Sequence, residues 1–266
     1  MISFDEAMAK VGAVADPLGI ERVPIGQAHG RVVAEPVVAR VSSPPSDVSA
    51  MDGYAVRDSD LGDLPTRLPL AGESFAGQGF GGPLPSGACV RIFTGAPVPQ
   101  GADRVIVQEV VTREEDVALF KEPPGPARHI RRAGSDFKEG DVLLPAGTLL
   151  RPGALIAAAG ADMAEVTVWR RPRVLILGTG DELVEPGTAR EQSGRIPESV
   201  SYGIAALTTE AGAEVIGSRR LPDQLSVMRA AAAESLGRAD VVIVTGGASV
   251  GERDFAKAMW DGTGLE

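Results

Sequence analysis

The sequence predicts a multidomain fold of the class α/β plus β, with a parallel-sheet α/β domain preceded by a small β domain and a helix/hairpin domain. Three observations predict it. Val174-Leu175-Ile176-Leu177 is an unbroken apolar run, the pattern of a parallel strand covered on both faces. After Trp169, strand-like and helix-like stretches alternate, which calls for right-handed crossovers and a parallel sheet. Between Asp47 and Arg128, short apolar runs are separated by Gly and Pro, an all-β signature. The 266 residues are also long for a single core. The expected divisions are 1–43 with 129–169 for a discontinuous helix/hairpin domain, 44–128 for the β domain, and 170–266 for the α/β domain. The last is expected to be incomplete at its C-terminus, because GTGLE follows a helix-like stretch without a closing strand.

In chain order, Ser3-Phe4-Asp5-Glu6 reads as a capping box, and Phe4, Ala7, Met8, Val11 and Val14 recur at helical spacing until Pro17-Leu18-Gly19. That apolar stripe implies packing against the rest of the protein or a second subunit. Gly30 to Ala34 reads as strand, and Ser42-Ser43-Pro44-Pro45-Ser46 as a domain junction. Val90 to Phe93 and Arg104 to Val107 are short strands of the β domain, while Gly72 to Gly87 holds too much Gly and Pro for long ones. Val142-Leu143-Leu144 and Thr148-Leu149-Leu150 flank Pro145-Ala146-Gly147 as a hairpin-like element, and Pro152 opens a helix to Gly160. The α/β part then reads as strand Arg173 to Leu177, helix Ser201 to Ala211, strand Glu214 to Gly217, helix from Pro222-Asp223 to Gly237, strand Asp240 to Thr245, and helix Asp254 to Trp260.

The composition excludes several classes. A net charge of -10 argues against a nucleic-acid or anionic-membrane surface, so a phosphate-bearing ligand needs local basic groups, Gly-rich turns or a metal ion. One cysteine, Cys89, excludes an intrachain disulfide framework and a Cys-rich zinc site, and two histidines disfavour histidine-based metal sites. No charged-then-apolar leader opens the chain, and no run of about 18 apolar residues occurs. The expectation is a soluble cytoplasmic protein without a membrane partner.

The chemistry-bearing stretch is Gly178-Thr179-Gly180-Asp181-Glu182 at the end of the apolar strand, where open α/β sheets bind ligands. A second Gly-rich turn, Gly246-Gly247-Ala248-Ser249-Val250-Gly251, leaves the third strand on the same edge. Backbone amides of such turns can approach an anion. The first turn lacks the third glycine of a dinucleotide fingerprint, and neither turn is followed by GK[ST]. Asp181 and Glu182 would repel a bare pyrophosphate. A divalent cation bridging carboxylate and phosphate removes that conflict, since Mg²⁺ takes a few carboxylates plus ligand oxygens. Metal-assisted phosphate chemistry therefore ranks above hydride transfer. Serine hydrolysis has little support, because Ser249 has no histidine partner in the pattern. As plain structure, Asp52 is a turn residue beside Gly53, Thr94 a turn cap, Asp254 a helix N-cap, and Arg131 and Arg132 part of a solvated face.

Five segments, in this order, resemble the molybdopterin molybdenumtransferase family (MoeA and the E domain of gephyrin). They are SAMDGYAVR from Ser49, RIFTGAPVPQGADRVIVQE from Arg91, IRRAGSDFKEGDVLLPAGTLL from Ile130, LILGTGDEL from Leu175, and VTGGASVGERDF from Val244. The resemblance implies insertion of molybdate into adenylylated molybdopterin, with release of AMP and a requirement for Mg²⁺. It implies an elongated homodimer whose cleft joins one subunit's molybdopterin-binding α/β domain to the other's small β domain. Carried over by motif, Asp52 and Thr94 reach in from the partner, and Arg131 and Asp136 line the cleft. Glu182, Asp223 and Asp254 surround metal and phosphate, with Glu182 and Asp254 as the metal ligands. Gly246, Gly247 and Ser249 contact the ligand, beside Gly178, Thr179, Gly180 and Asp181.

Two departures qualify the resemblance. Glu198-Ser199-Val200 has Val200 where the family commonly has Asn, and valine cannot supply that hydrogen bond. The chain also stops before the family's KPGKP and PGNP segments and its C-terminal β domain, so weak or no turnover is expected of it as it stands. Two alternatives remain open: a degenerate or truncated non-catalytic module for molybdopterin binding and dimerisation, and an adenylyltransferase of a related molybdopterin-binding family. The MDGYA and TGAP segments argue against the second.

Overall fold

A computed structural model describes residues 2–14, 16–246 and 255–264. The helices are α1 (Phe4–Val14), α2 (Pro152–Gly160), α3 (Val200–Glu210) and α4 (Leu225–Ser235). The strands of the two larger sheets are β1 (Gly53–Val56), β2 (Thr66–Ser74), β3 (Cys89–Ile92), β4 (Arg104–Val107), β5 (Val111–Glu114), β6 (Val117–Phe120), β7 (Arg173–Thr179), β8 (Glu214–Leu221) and β9 (Val241–Thr245). The chain divides into two compact units, one of Met1–Val23, Ala28–Ala34 and Thr167–Glu266, the other of Pro24–Gln27 and Glu35–Val166.

The second unit carries a six-stranded sheet in the order β4-β1-β3-β2-β6-β5. It is mixed: β2 runs parallel to β3, while β1 is antiparallel to both β3 and β4. Side chains alternate across β1, and both faces are covered. Tyr54 and Val56 pack with Leu68, Cys89, Ile106 and Phe120. Ala55 packs on the other side with Leu84, Val90, Ile92 and Val105. Gly53 opens this strand because nothing larger fits: a methyl group there would lie 2.1 Å from the Ile106 carbonyl oxygen. Burial pushes the Cys89 thiol up to about 12, which makes it an inert core residue rather than a nucleophile.

Local pattern and long-range pairing disagree in places. The Gly30–Ala34 segment forms only an isolated bridge, Val33 to Val168, after a turn in which the Arg31 N–H donates to the Ala28 carbonyl. The turn at Pro145-Ala146-Gly147 exists, but Val142–Leu144 pairs antiparallel with Val37–Val38 instead of folding back on Thr148–Leu150. A strand does enter the Gly-rich stretch: β2 runs nine residues, through Gly72 to Ser74, because β3 and β6 pair with it from either side.

In the first unit the capping box of α1 is reciprocal. The Ser3 N–H donates to Glu6 Oε2 (2.8 Å) and the Glu6 N–H to Ser3 Oγ (3.2 Å). Phe4, Met8 and Val11 of that helix are exposed. The α/β sheet has β7 at its centre between parallel β8 and β9. Leu175 and Leu177 meet Leu221, Met228, Ala231 and Ala232 on the α4 side. Val174 and Ile176 are buried on the opposite face, where α3 packs. Strand β8 extends to Leu221, beyond the Gly217 that periodicity suggested, and α4 starts at Leu225 rather than at Pro222. Where a helix Asp254–Trp260 is expected, the described part is a 3-10 turn at Ala258–Trp260, and its predicted start lies outside the described residues.

Asp240 ties the beginnings of β7 and β9 together. Its carboxylate accepts two bonds from the Arg170 guanidinium (2.8 and 2.9 Å) and one from the Arg173 N–H (2.7 Å), while its own N–H donates to the Arg173 carbonyl (2.8 Å). The Arg170 guanidinium, followed by the Arg173 N–H, holds the Asp240 carboxyl far below the usual carboxylate range. A lowered folded-state pKa means stability that is present above the ordinary aspartate value and lost as pH falls through the folded one.

Two outcomes are expected. Asp240→Ala should cost about 2 kcal/mol at pH 7, since it leaves charged donors without their acceptor. Trp169 and Trp260, both in this unit, report its unfolding by fluorescence in denaturant. The difference from wild type should persist above pH ~3.9 and shrink only below it. A gap that closes between pH 7 and 5 would contradict the clasp. Gly53→Ala should lower stability by at least about 2 kcal/mol in far-UV circular dichroism melts, because backbone must move to admit the methyl. An unchanged melting temperature would show that the β1–β4 spacing yields.

Candidate functional site

The end of β7 is built by pairing on both sides. Gly178 lies opposite Arg220 of β8 and Thr245 of β9, and Thr179 opposite Leu221. Strand pairing thus continues two residues past Leu177, and the turn begins at Gly180 rather than Gly178. Glu182 folds back over Gly180, so a side chain at Gly180 would meet the Glu182 carboxylate at 2.9 Å. The exit of β9 presses against the same place. Gly246 has φ +84°, and a methyl group there would lie 2.5 Å from the Thr179 carbonyl oxygen. The Thr179 hydroxyl donates to the Thr245 carbonyl (3.2 Å). The Gly180 turn and Gly246 therefore share one edge of the sheet, as the parallel order requires.

Asp181 and Asp223 are brought together from successive strand exits. The Asp223 N–H donates to Asp181 Oδ1 (3.1 Å), and the Asp181 N–H to Asp223 Oδ2 (3.4 Å). Arg195 donates to the Asp181 carbonyl. A cleft of about 370 Å³ opens here, lined by Gly180, Asp181, Gln192, Arg195, Arg220 and Pro222 among others. A second cleft of about 260 Å³ is lined by Glu185, Glu198, Ser201, Tyr202 and Ser218, and Arg220 lines it too.

The start of α3 borders the second cleft. Glu198 is buried, and its Oε1 accepts the Ser201 N–H (2.8 Å), doing at the helix N-terminus what an N-cap side chain does. Val200 is exposed and contributes no polar group. Tyr202 donates its hydroxyl to Glu185 Oε1 (2.8 Å), and that bond pushes the phenol up from its ordinary value.

In the other unit, antiparallel pairing of β1 with β3 sets Gly53 opposite Ile92. The residue before β1 and the turn after β3 therefore meet. Asp52 Oδ1 accepts both the backbone N–H (2.8 Å) and the hydroxyl (2.7 Å) of Thr94. The Thr94 N–H, with its hydroxyl next, lowers the Asp52 carboxyl below its ordinary value. Asp52 thus holds Thr94 rather than the Gly53 turn. Arg131 Nη2 donates to both oxygens of Asp136 (2.6 and 2.8 Å), and Asp136 also accepts the Ser43 hydroxyl (3.3 Å). The guanidinium lowers the Asp136 carboxyl. Arg91 lies between the rings of Tyr54 (5.3 Å) and Phe93 (4.6 Å), and Phe93 stacks on Phe75 at 4.7 Å.

The expected residues fall into local groups: Asp52 with Thr94, Arg131 with Asp136, and Gly178, Thr179, Gly180, Asp181, Glu182, Asp223 and Gly246 at the α/β rim. Gly247, Ser249 and Asp254 lie outside the described residues. Among the described residues no three of His, Cys, Asp and Glu converge as a metal site. Sequence reasoning missed Arg195 and Arg220. The available signal was the pair Arg219-Arg220 at the end of the second strand, directly before Pro222-Asp223.

Residues 2–161 match the MoeA N-terminal region (domain I and II), and residues 175–265 match a probable molybdopterin binding domain. A molybdopterin molybdenumtransferase of Haemophilus influenzae is 42% identical over 266 residues, covering 99% of this chain and 65% of that protein. A molybdopterin molybdenumtransferase 2 of Mycobacterium tuberculosis is 38% identical over 239 residues, covering 88% of this chain and 59% of that protein. The crystal structure of a molybdopterin biosynthesis moeA protein from Pyrococcus horikoshii superposes with a TM-score of 0.84 at 32% identity, over 92% of this chain and 66% of that one. The chain thus spans less than two thirds of each of these relatives. With its first 161 residues matched as domains I and II and an α/β unit following them, the chain belongs to the MoeA family.

Proposed function

We propose that this chain serves molybdenum cofactor biosynthesis as a molybdopterin molybdenumtransferase, inserting molybdate into adenylylated molybdopterin with release of AMP. One observation carries the reading: the Gly180 turn, Gly246 and the Asp181–Asp223 pair meet at one rim of a parallel sheet, beside an open cleft lined by Gly180 and Asp181. In this reading Gly178, Thr179, Gly180, Asp181, Gly246, Gly247 and Ser249 border the pterin phosphate. Asp223, Glu182 and Asp254 surround the reacting phosphate. The chain works as a homodimer in the cytoplasm, and the partner's β domain supplies Asp52 and Thr94, with Arg131 and Asp136 lining the cleft. The three-part division at 1–43 with 129–169, 44–128 and 170–266 belongs to the same proposal.

The donor chemistry at the rim suits Mg²⁺. Glu182 and its neighbours offer hard carboxylate oxygens in small number, and this ion binds through one or two carboxylates plus substrate phosphates. Glu182 and Asp254 would hold it, and it would supply charge neutralisation at the phosphoryl oxygens. The chain's own residues do the positioning. Asp181 and Asp223 each spend one carboxylate oxygen on the other's backbone, which holds the two strand exits in fixed relation. Thr94 occupies Oδ1 of Asp52 with both of its donors, and Oδ2 receives no bond among the described residues. That oxygen is the one that faces a ligand.

A second reading, a non-catalytic molybdopterin-binding and dimerisation module, is favoured by Val200. At the first position of α3 it presents an exposed apolar side chain, which cannot supply the hydrogen bond of the Asn that the resemblance implies there.

AMP release from adenylylated molybdopterin on addition of molybdate, measured in a full-length context, separates the two readings. An enzyme should show Mg²⁺-dependent release that falls by roughly 100-fold or more in Glu182→Ala. Binding of molybdopterin without any release would leave only the module. Sharing of the cleft predicts that, in a full-length context, inactive Asp52→Ala and Glu182→Ala proteins regain activity when mixed as dimers, and absence of complementation would place both residues' work in one subunit. Because its folded-state pKa is lowered, Asp52 should stay ionised to below pH ~3.9, with its bonds to Thr94 lost only as pH falls further. Thr94→Val should move the Asp52 carboxyl midpoint upward in NMR titration, and an unmoved midpoint would refute the hydroxyl's share.

A further inference from the structure

We infer that the cleft beside the Gly180 turn is an anion site in its own right, in which Arg195 and Arg220 grip a phosphate group without a divalent cation. This rests on the reading above and names how the phosphate is first held. The two arginines come from different elements. Arg220 lies on β8 opposite Gly178 of β7, one residue before the strand ends. Arg195 precedes the short strand Ile196–Pro197, which runs parallel to Leu183–Val184 just after the turn. Both line the same cleft of about 370 Å³ with Gly180 and Asp181.

The charge balance there favours an anion. Two arginines and one carboxylate, Asp181, line it among the described residues; Asp181 Oδ1 is already occupied by the Asp223 N–H, and Arg220 also borders the neighbouring cleft, which holds Glu185 and Glu198. Arg195 uses one nitrogen to donate to the Asp181 carbonyl, which orients the remaining donors of its planar fork. Arg219 is paired with Glu234, whereas no carboxylate among the described residues pairs with Arg220. A guanidinium matches phosphate through two parallel N–H···O bonds, so two of them can hold a dianion by geometry as well as charge. The repulsion that Asp181 and Glu182 would exert on a bare phosphate is thereby offset by the protein itself. The ligand class is a phosphate monoester or anhydride, carried by either the pterin or the adenylate.

Isothermal calorimetry of the whole chain tests this in excess EDTA, with AMP in one arm and molybdopterin in the other. Wild type should bind at least one of them, which identifies whose phosphate occupies the cleft, and binding should weaken as salt rises. Arg195→Ala/Arg220→Ala should weaken it at least tenfold, and Arg220→Lys should recover part of the loss. Trp169 and Trp260 fluorescence verifies that the variants remain folded. Binding that appears only when Mg²⁺ is added overturns the inference and leaves the proposed function standing. Equal affinity of wild type and the double variant in EDTA overturns it as well. No binding of either compound with or without Mg²⁺ defeats both together.

Discussion

Parallel hydrogen bonding on both sides of β7 is the constraint from which the α/β site follows. Parallel neighbours point their carboxyl ends the same way, so the exits of β7, β8 and β9 have one rim available to them. Register decides what meets there. Asp240 locks the first residues of β7 and β9 through Arg170 and the Arg173 backbone. Five pairs further along, that register puts Gly178 between Arg220 and Thr245. A slip of one residue would turn Leu175 and Leu177 away from α4 and separate the Gly246 turn from Thr179. The ion pair at one end of the sheet thus conditions the chemistry at the other.

The β unit reaches a similar result by antiparallel pairing. Asp52 and Thr94 are 42 residues apart, yet they flank the Gly53–Ile92 pair and meet by necessity. Gly53 lets β1 approach β4 closely, and Arg91 adds a bond from its guanidinium to the Gly53 carbonyl (2.8 Å). The acid is therefore held by a buried strand behind it and a turn beside it, while its side chain stays at the surface.

What could be read from the sequence followed how local its cause was. The capping box of α1 needs only Ser3 and Glu6, and it was legible. The strand at Val174–Leu177 was legible because burial on both faces leaves an unbroken apolar run. Its end was misread by two residues, because Gly178 and Thr179 look like a turn until Arg220, Leu221 and Thr245 are known to pair with them. The partner of Val142–Leu144 was invisible for the same reason: Val37–Val38 is about a hundred residues away, and its two-residue pattern carries no period. Among candidate site residues, those inside glycine-rich motifs stood out. Arg195 and Arg220 did not, since a lone arginine after a loop looks like solvated surface until a fold places two of them in one cleft.

The electrostatics of the rim explain how an acidic chain can hold an anion. The net charge of -10 is spread over the whole chain. At physiological ionic strength, exposed charges more than about 8 Å from a ligand are largely screened. Groups in contact are not. A unit charge 4 Å from another interacts at about 4 kcal/mol for an effective dielectric of 20, several times thermal energy. Two guanidinium groups lining the cleft therefore outweigh a large but distant excess of carboxylates. Among the described residues Asp181 is the one carboxylate that lines that cleft, and its pairing with the Asp223 backbone spends one of its two oxygens on structure. Local charge at the β7 and β8 exits, rather than the net charge, thus decides whether a small phosphate ester is held there.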